Sequence, residues 1–503
     1  MATGDTSEPA STENSFGTFG SRQFWLATIF LALFAVVLRG VWWGDPVAEF
    51  DEQLYSFIGW RMTHGELPYV DWWDRKPFGL FAIFGLAHLI GGPQAIAFQL
   101  MAWAFAVTGA LLVFDIARRL SGQFAGAIAG AIFLVLLSAY GSMSGQSEAF
   151  WVPMITGMVW LLADPDHPAA RKRALWAMLL GGMALQVKYT VIPQCIVLGG
   201  WALWHEWRKD ASPAVLAIRA ALFALLGLAP TLAVALLYAA VGQFDAFWFA
   251  NFVSFFDRLP AEMGRMSSER AIAAAPLLLL SVGGIYTAAR FIGVYDRRLF
   301  ALCWLWFLGT AATVFLPSTV YLYYFAAFSA PVAAVSAPMF DRRGPGRWVP
   351  GVFILAGLVW LVNLPESHKR SMQERVAIER MAEAIRPYVD QEEDCLWLND
   401  APTALYQLAG SCVPTRFVYP DHLNNALEAN SIGVSQDTEV ARILSGRPPV
   451  IVSASRAVTD QTPEVEARVK AALASDYTKL LVERMHGRRM FVWLRRDLAA
   501  PQD

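Results

Sequence analysis

Two acids and two bases bracket one short aromatic-rich segment of this chain. Asp51 and Glu52 are followed 24 residues later by Arg75-Lys76-Pro77, with Tyr55, Trp60, Tyr69, Trp72 and Trp73 between them. A carboxylate at Asp51, partly desolvated, can take a proton from a hydroxyl as a general base. The acid pair equally suits the first turn of a helix in a solvated loop. Lys76 and Arg75 offer fixed positive charge, which stabilises a phosphate as it departs. The run Asp71-Trp72-Trp73-Asp74-Arg75-Lys76-Pro77 also reads as an interfacial anchor, with Trp at headgroup depth and cations on lipid phosphates. Charges beside apolar spans are costly unless solvated, paired or used, so they are site candidates.

The elements that must position these groups are membrane helices. The 503 residues are 56% hydrophobic and 16% charged, against about 25% charged in soluble domains. Residues 1–22 are Ser/Thr/Gly/Glu-rich and read as disordered. Apolar stretches follow at 23–43, 94–117, 121–140, 147–163, 174–188, 190–207, 214–240, 271–290, 298–316, 319–340 and 347–364. A span needs ~20 apolar residues, so 77–90 reads as an interfacial helix that does not cross. With a cytoplasmic N-terminus, Arg118-Arg119, Arg171-Lys172-Arg173, Arg208-Lys209, Arg297-Arg298 and Arg342-Arg343 then all fall inside. The loop 44–76, with seven acids and three Lys/Arg, falls outside, as do Glu148, 241–270 and everything after about 365. The expectation is eleven crossings.

Two more charges lie at apolar ends on that outer face: Glu148, after Ser147, and Lys188, before Tyr189. Snorkelling or capping accounts for either alone; their shared face with Asp51 and Lys76 is the argument for a site. Tyr321, Tyr323 and Tyr324 open the span at 319–340 as an aromatic belt or a sugar or polyprenyl contact. Beyond 365, charged helix-like stretches alternate with strand-like runs (CLWLN, TRFVY, PVIVSAS, TKLLVER, RRMFVWLRR), the pattern of a small α/β domain over 365–503. Cys195 and Cys303 sit in apolar spans, whereas Cys395 and Cys412 lie in this polar region. A disulfide between the latter two is left open. The seven histidines show no HxxxH or HxH spacing. No cofactor is called for, although Asp51, Glu52 and Glu148 have the chemistry to hold a divalent ion. There is no phosphate loop or nucleotide fingerprint, which argues against a transporter motor domain and a cytosolic nucleotide-sugar domain.

At these residues the chain resembles the membrane-embedded, lipid-linked-sugar glycosyltransferases of the GT-C superfamily. These include the protein O-mannosyltransferases (family 39-like) and the enzymes that place aminoarabinose or galacturonic acid on lipopolysaccharide. The resemblance is carried, over about 23–364, by Asp51-Glu52, Tyr55, Gly65-x-x-Pro68-Tyr69, Lys76-Pro77, Ser147-Glu148, Lys188-Tyr189 and the late tyrosines. It implies a polytopic α-helical GT-C fold, with interfacial helices in a first extracytoplasmic loop (44–93). It also implies a bacterial inner-membrane location, a periplasm-facing site, a polyprenyl-phosphate sugar donor, a lipid or glycan acceptor, and no nucleic acid. Asp51 and Glu148 become catalytic acids by this resemblance. Glu52, Tyr55, Tyr69, Asp74, Arg75, Lys76, Lys188, Tyr321, Tyr323 and Tyr324 become substrate-binding. Phe78 stands where many relatives have a second proline, and Gln53-Leu54 where some have an arginine, so phosphate binding leans on Arg75 and Lys76. A flippase or transporter would favour mid-bilayer charge pairs and repeated halves, and a membrane-anchored binding protein would need fewer spans.

Overall fold

The computed structural model describes residues 22–209, 211–259, 268–316, 320–343 and 351–499; apart from Arg22, the N-terminal stretch expected to be disordered lies outside them. Helices occupy each expected apolar stretch. Seven of them, among the described residues, are long and apolar enough to span a bilayer. One of the seven, Ala95–Ala139, is 45 residues long and contains non-helical backbone at Ser121 and Gly122. Gly122 takes φ +88°, open to glycine without strain. A Cβ added to Gly126 would meet the Phe114 carbonyl at 2.8 Å, and one on Gly130 the Ala110 carbonyl at 2.9 Å. The two halves therefore run back along each other as a hairpin, which accounts for two expected stretches. Glu148–Leu162, Ala170–Leu185 and Ile192–Trp207 are shorter helices of 15, 16 and 16 residues.

Two short helices follow the first span. Phe50–Met62 starts with a reciprocal capping box between Glu49 and Glu52, which satisfies two amides of its first turn. Phe78–Gly91, capped by Pro77, has 14 residues. At 1.5 Å per residue it reaches about 21 Å, short of a hydrocarbon core. The two helices cross where Gly59 faces Gly85: a Cβ on Gly59 would lie 2.7 Å from the Gly85 nitrogen.

Near the C-terminus the chain changes character at Asn363, whose left-handed backbone (φ 49°) separates the apolar helix Gly351–Val362 from the polar helix Leu364–Ile385. Four strands follow: β1 (Trp397–Leu398), β2 (Val450–Ala454), β3 (Tyr477–Met485) and β4 (Arg488–Arg495). They form one sheet in the order β1-β2-β4-β3, with β1 parallel to β2 and the other pairs antiparallel. His486 and Gly487 (φ 50° and 70°) make the tight turn between β3 and β4, the backbone that two-residue hairpins favour. The expected strand at Thr415–Tyr419 is irregular chain instead. Phe417 and Val418 are both buried, which breaks the alternation a half-buried strand requires, and the Arg416 carbonyl accepts the Trp73 amide at 3.0 Å. Cys395 and Cys412 are joined as a disulfide.

The sheet region packs on the first loop rather than standing apart. Ser371 donates to Asp45 at 2.7 Å, Gln53 accepts the Ala404 amide at 3.2 Å, and the His486 ring bonds the Val47 carbonyl at 2.9 Å.

Candidate active site

The ends of the opening segment meet. Asp51 lies in the first turn of Phe50–Met62, and Lys76 immediately precedes the Pro77 cap of the next short helix. Their side chains approach to 3.8 Å, with about a quarter of each still exposed. Three donors fix the carboxylate: the Tyr55 hydroxyl at 3.2 Å, the Tyr419 hydroxyl at 3.1 Å and the Gln146 amide at 3.4 Å. Burial holds both tyrosine hydroxyls well above their usual range, and the nearby carboxylates, Asp51 foremost, push the same way. Both therefore stay protonated and remain donors. The Lys76 ammonium also stands 5.6 Å from the centre of the Tyr55 ring, within reach of a cation–π attraction.

Backbone bonding explains why Lys76 points there. Asp74, buried, accepts the Lys76 amide at 2.9 Å and the Arg75 amide, which locks the turn; burial raises its carboxyl above the ordinary value. Tyr69, at φ 69°, donates its hydroxyl to the Lys76 carbonyl at 2.8 Å. That hydroxyl also lies 3.4 Å from Asn251, a residue in a π-helical turn (Phe249–Val253) that accepts from Tyr189 at 2.8 Å as well. Such turns favour functional regions.

Glu148 opens the helix Glu148–Leu162 and pairs with Lys188. Ser147 donates to its second oxygen at 2.9 Å. Rings of Tyr324 and Tyr323 flank the Lys188 ammonium at 4.3 and 5.2 Å. Gln146, which donates to Asp51 at 3.4 Å, stands two residues before Glu148, so this buried pair lies beside the Asp51–Lys76 pair.

Two expected site residues face elsewhere. Glu52 is fully buried and accepts Ser144 at 3.0 Å and the Gly145 amide. It thereby pins the turn that delivers Gln146 to Asp51. Arg75 turns from Lys76 toward the C-terminal region, pairing with Glu428 and reaching Ser431 at 3.2 Å. Glu428 also holds Arg258 at 2.7 Å, and Arg258 reaches the Tyr321 hydroxyl at 3.4 Å. Asp51, Glu52 and Glu148 do not gather around one point, and the described residues contain no group of three or more metal-ligating side chains. Tyr419, Gln146, Asn251, Arg258 and Glu428 escaped the sequence reading; all but Gln146, which adjoins Ser147-Glu148, lie away from the charged ends of apolar runs.

A family model described as dolichyl-phosphate-mannose-protein mannosyltransferase matches residues 75–234, a segment that holds Lys76, Glu148 and Lys188. A dolichol phosphate-mannose mannosyltransferase of Haloferax volcanii is 28% identical over 158 residues, 29% of this chain. The matched part is 34% of that curated relative. Among solved structures, ArnT from Cupriavidus metallidurans bound to undecaprenyl phosphate superposes with TM-score 0.63 at 15% identity, over 96% of this chain and 100% of that one. The oligosaccharyltransferase AglB from Archaeoglobus fulgidus, in complex with an inhibitory peptide and a dolichol-phosphate, gives TM-score 0.51 at 12% identity, over 87% and 70%. The chain is thus a membrane protein with the GT-C fold shared by ArnT and AglB. Over 75–234 its sequence is similar to that dolichyl-phosphate-mannose-protein mannosyltransferase model.

Proposed function

We propose that this protein is a glycosyltransferase that moves a monosaccharide from a polyprenyl-phosphate donor to a lipid or glycan acceptor. Asp51 takes the proton of the acceptor hydroxyl, whose oxygen bonds to the anomeric carbon. The bond from that carbon to the donor phosphate breaks, and the phosphate leaves with the electron pair while Lys76 stabilises its charge. Glu148 is the second acid of the site and acts through its pair with Lys188. The observation that carries this reading is the 3.8 Å approach of a fixed carboxylate to an ammonium about a quarter exposed. Acceptor activation and leaving-group stabilisation need this pairing at one point.

The site faces the periplasm of a bacterial inner membrane in this reading. The acid-rich first loop and the Cys395–Cys412 disulfide support that side, because such bonds persist in oxidising compartments. The test is sugar transfer by purified, folded Asp51→Asn and Lys76→Ala variants, each expected to lose at least ~100-fold in kcat. Near-native transfer by both would sink the assignment.

A further inference from the structure

A cavity lies at the far end of the helix that Glu148 opens. Glu148–Leu162 starts at the candidate site and ends at Leu161 and Leu162, which line this cavity about 22 Å away along the helix axis. Its volume is about 360 Å³. The floor is apolar, built from Leu161, Leu162, Ala174, Trp201, Ala202 and Val215, and the rim carries Arg171, Lys209 and Arg219 together with Asp164 and Glu206.

Three cations against two carboxylates leave the lining with an excess of one positive charge. Arg219 is answered by Glu206, and Lys209 by Asp166 at 3.0 Å. Arg171 has no ion pair among the described residues and lines the same cavity as Arg219. Two helix N-termini open at the same place, Ala170–Leu185 beside Arg171 and Pro213–Ala240 beside Ser212. Each adds partial positive charge from its helix dipole, though at the second Pro213 has no amide hydrogen and Ser212 already accepts the Val215 amide. Around them Trp176, Trp204 and Trp207 are exposed, as an aromatic belt at a bilayer interface requires. Ile218 and Leu222 continue along the exposed face of Pro213–Ala240 from the cavity toward mid-membrane.

We infer that this cavity binds the phosphodiester headgroup of an anionic phospholipid, one acyl chain lying along Ile218 and Leu222. Basic pockets between membrane helices on the positive side suit such headgroups. The phosphate would sit between Arg171, Arg219 and the two N-termini. The site is separate from the Asp51–Lys76 cleft and does not depend on the reaction assigned there.

The test uses the full chain purified in detergent, with dioleoyl phosphatidylglycerol, dioleoyl phosphatidylcholine and inorganic phosphate as separate probes. Native mass spectrometry and thermal unfolding report binding. Phosphatidylglycerol is expected to bind and raise Tm, and Arg171→Ala to weaken that binding about tenfold, with Arg171→Lys retaining most of it. Equal binding of phosphatidylcholine would overturn the proposal, as would undiminished phosphatidylglycerol binding to a folded Arg171→Ala. Displacement of the lipid by millimolar inorganic phosphate would also overturn it, making this a site for soluble phosphate. The three-probe comparison on the unmodified protein decides the matter even where a variant fails to fold.

Discussion

Asp51 and Lys76 stand 25 positions apart in the sequence and yet face each other at 3.8 Å. One helix start and one helix cap produce that contact. The capping box fixes Asp51 in its turn, while Asp74 and Tyr69 fix the backbone of Lys76. The two short helices are locked together by the Gly59–Gly85 crossing. Substituting Gly59 would therefore move the charges apart without touching either.

The pair is expected to act as a unit. Removing one member leaves the other without its electrostatic partner, so the double variant Asp51→Asn/Lys76→Ala should lose less activity than the product of the single losses. A coupling of about 1–3 kcal/mol is the expected scale for groups in contact. Single-turnover sugar transfer by the four proteins measures it, and strict multiplicativity would show independent roles.

Tyr419 carries the contribution of the C-terminal region to the cleft. Its hydroxyl bond to Asp51, at 3.1 Å, is made to a charged acceptor, the kind of bond worth about 1.5–3 kcal/mol. Tyr419→Phe should lower kcat by roughly tenfold while Tm stays within a few degrees of the unmodified protein. An unchanged kcat would reduce this contact to packing.

What the sequence reveals of this site follows from contrast. Asp51, Lys76, Glu148 and Lys188 stand out because each is a charge beside an apolar run. Tyr419, Glu428 and Arg258 lie in segments of mixed composition, where one more polar residue carries no signal. Only the folded backbone brings them within 3.4 Å of their partners. Adjacent basic residues also look alike in sequence, yet Arg75 and Lys76 diverge because successive side chains leave an extended turn in different directions. That 77–90 forms a helix shorter than a bilayer span was legible from its length. The hairpin inside Ala95–Ala139 was legible too, since two apolar stretches meet at Ser121-Gly122. The strand expected at Thr415–Tyr419 was misread because aromatic and β-branched content imitates a strand where the chain is serving as a lining.

Glu428 joins the C-terminal region to the membrane-proximal loop through Arg75 and Arg258. It is almost wholly buried, and Glu428→Ala would leave two guanidinium groups facing each other. The expected cost is about 3 kcal/mol, reduced from the fully buried case because Arg258 is partly exposed. Thermal unfolding of the purified variant reads it as a clear fall in Tm, whereas Glu428→Gln, which keeps the hydrogen bonds, should fall less. Equal Tm for all three proteins would show the bridge to be energetically idle.

Glu52 gives the protein a pH dependence of known direction. Burial, opposed by the bonds from Ser144 and Gly145, raises its carboxyl from 4.5 to about 8. Between those values the folded protein keeps a proton that the unfolded chain has released. Its contribution to stability is therefore full below about 4.5, falls as pH climbs toward about 8, and is flat beyond. Glu52→Gln cannot ionise and reproduces the shape of the protonated acid, so it removes this slope. Melting curves at pH 5 and pH 8 should place the variant near the unmodified protein at the lower pH and a few °C above it at the higher. A variant that melts below the unmodified protein by the same margin at both pH values would mean that Glu52 is held as a carboxylate, with Ser144 and Gly145 outweighing its burial.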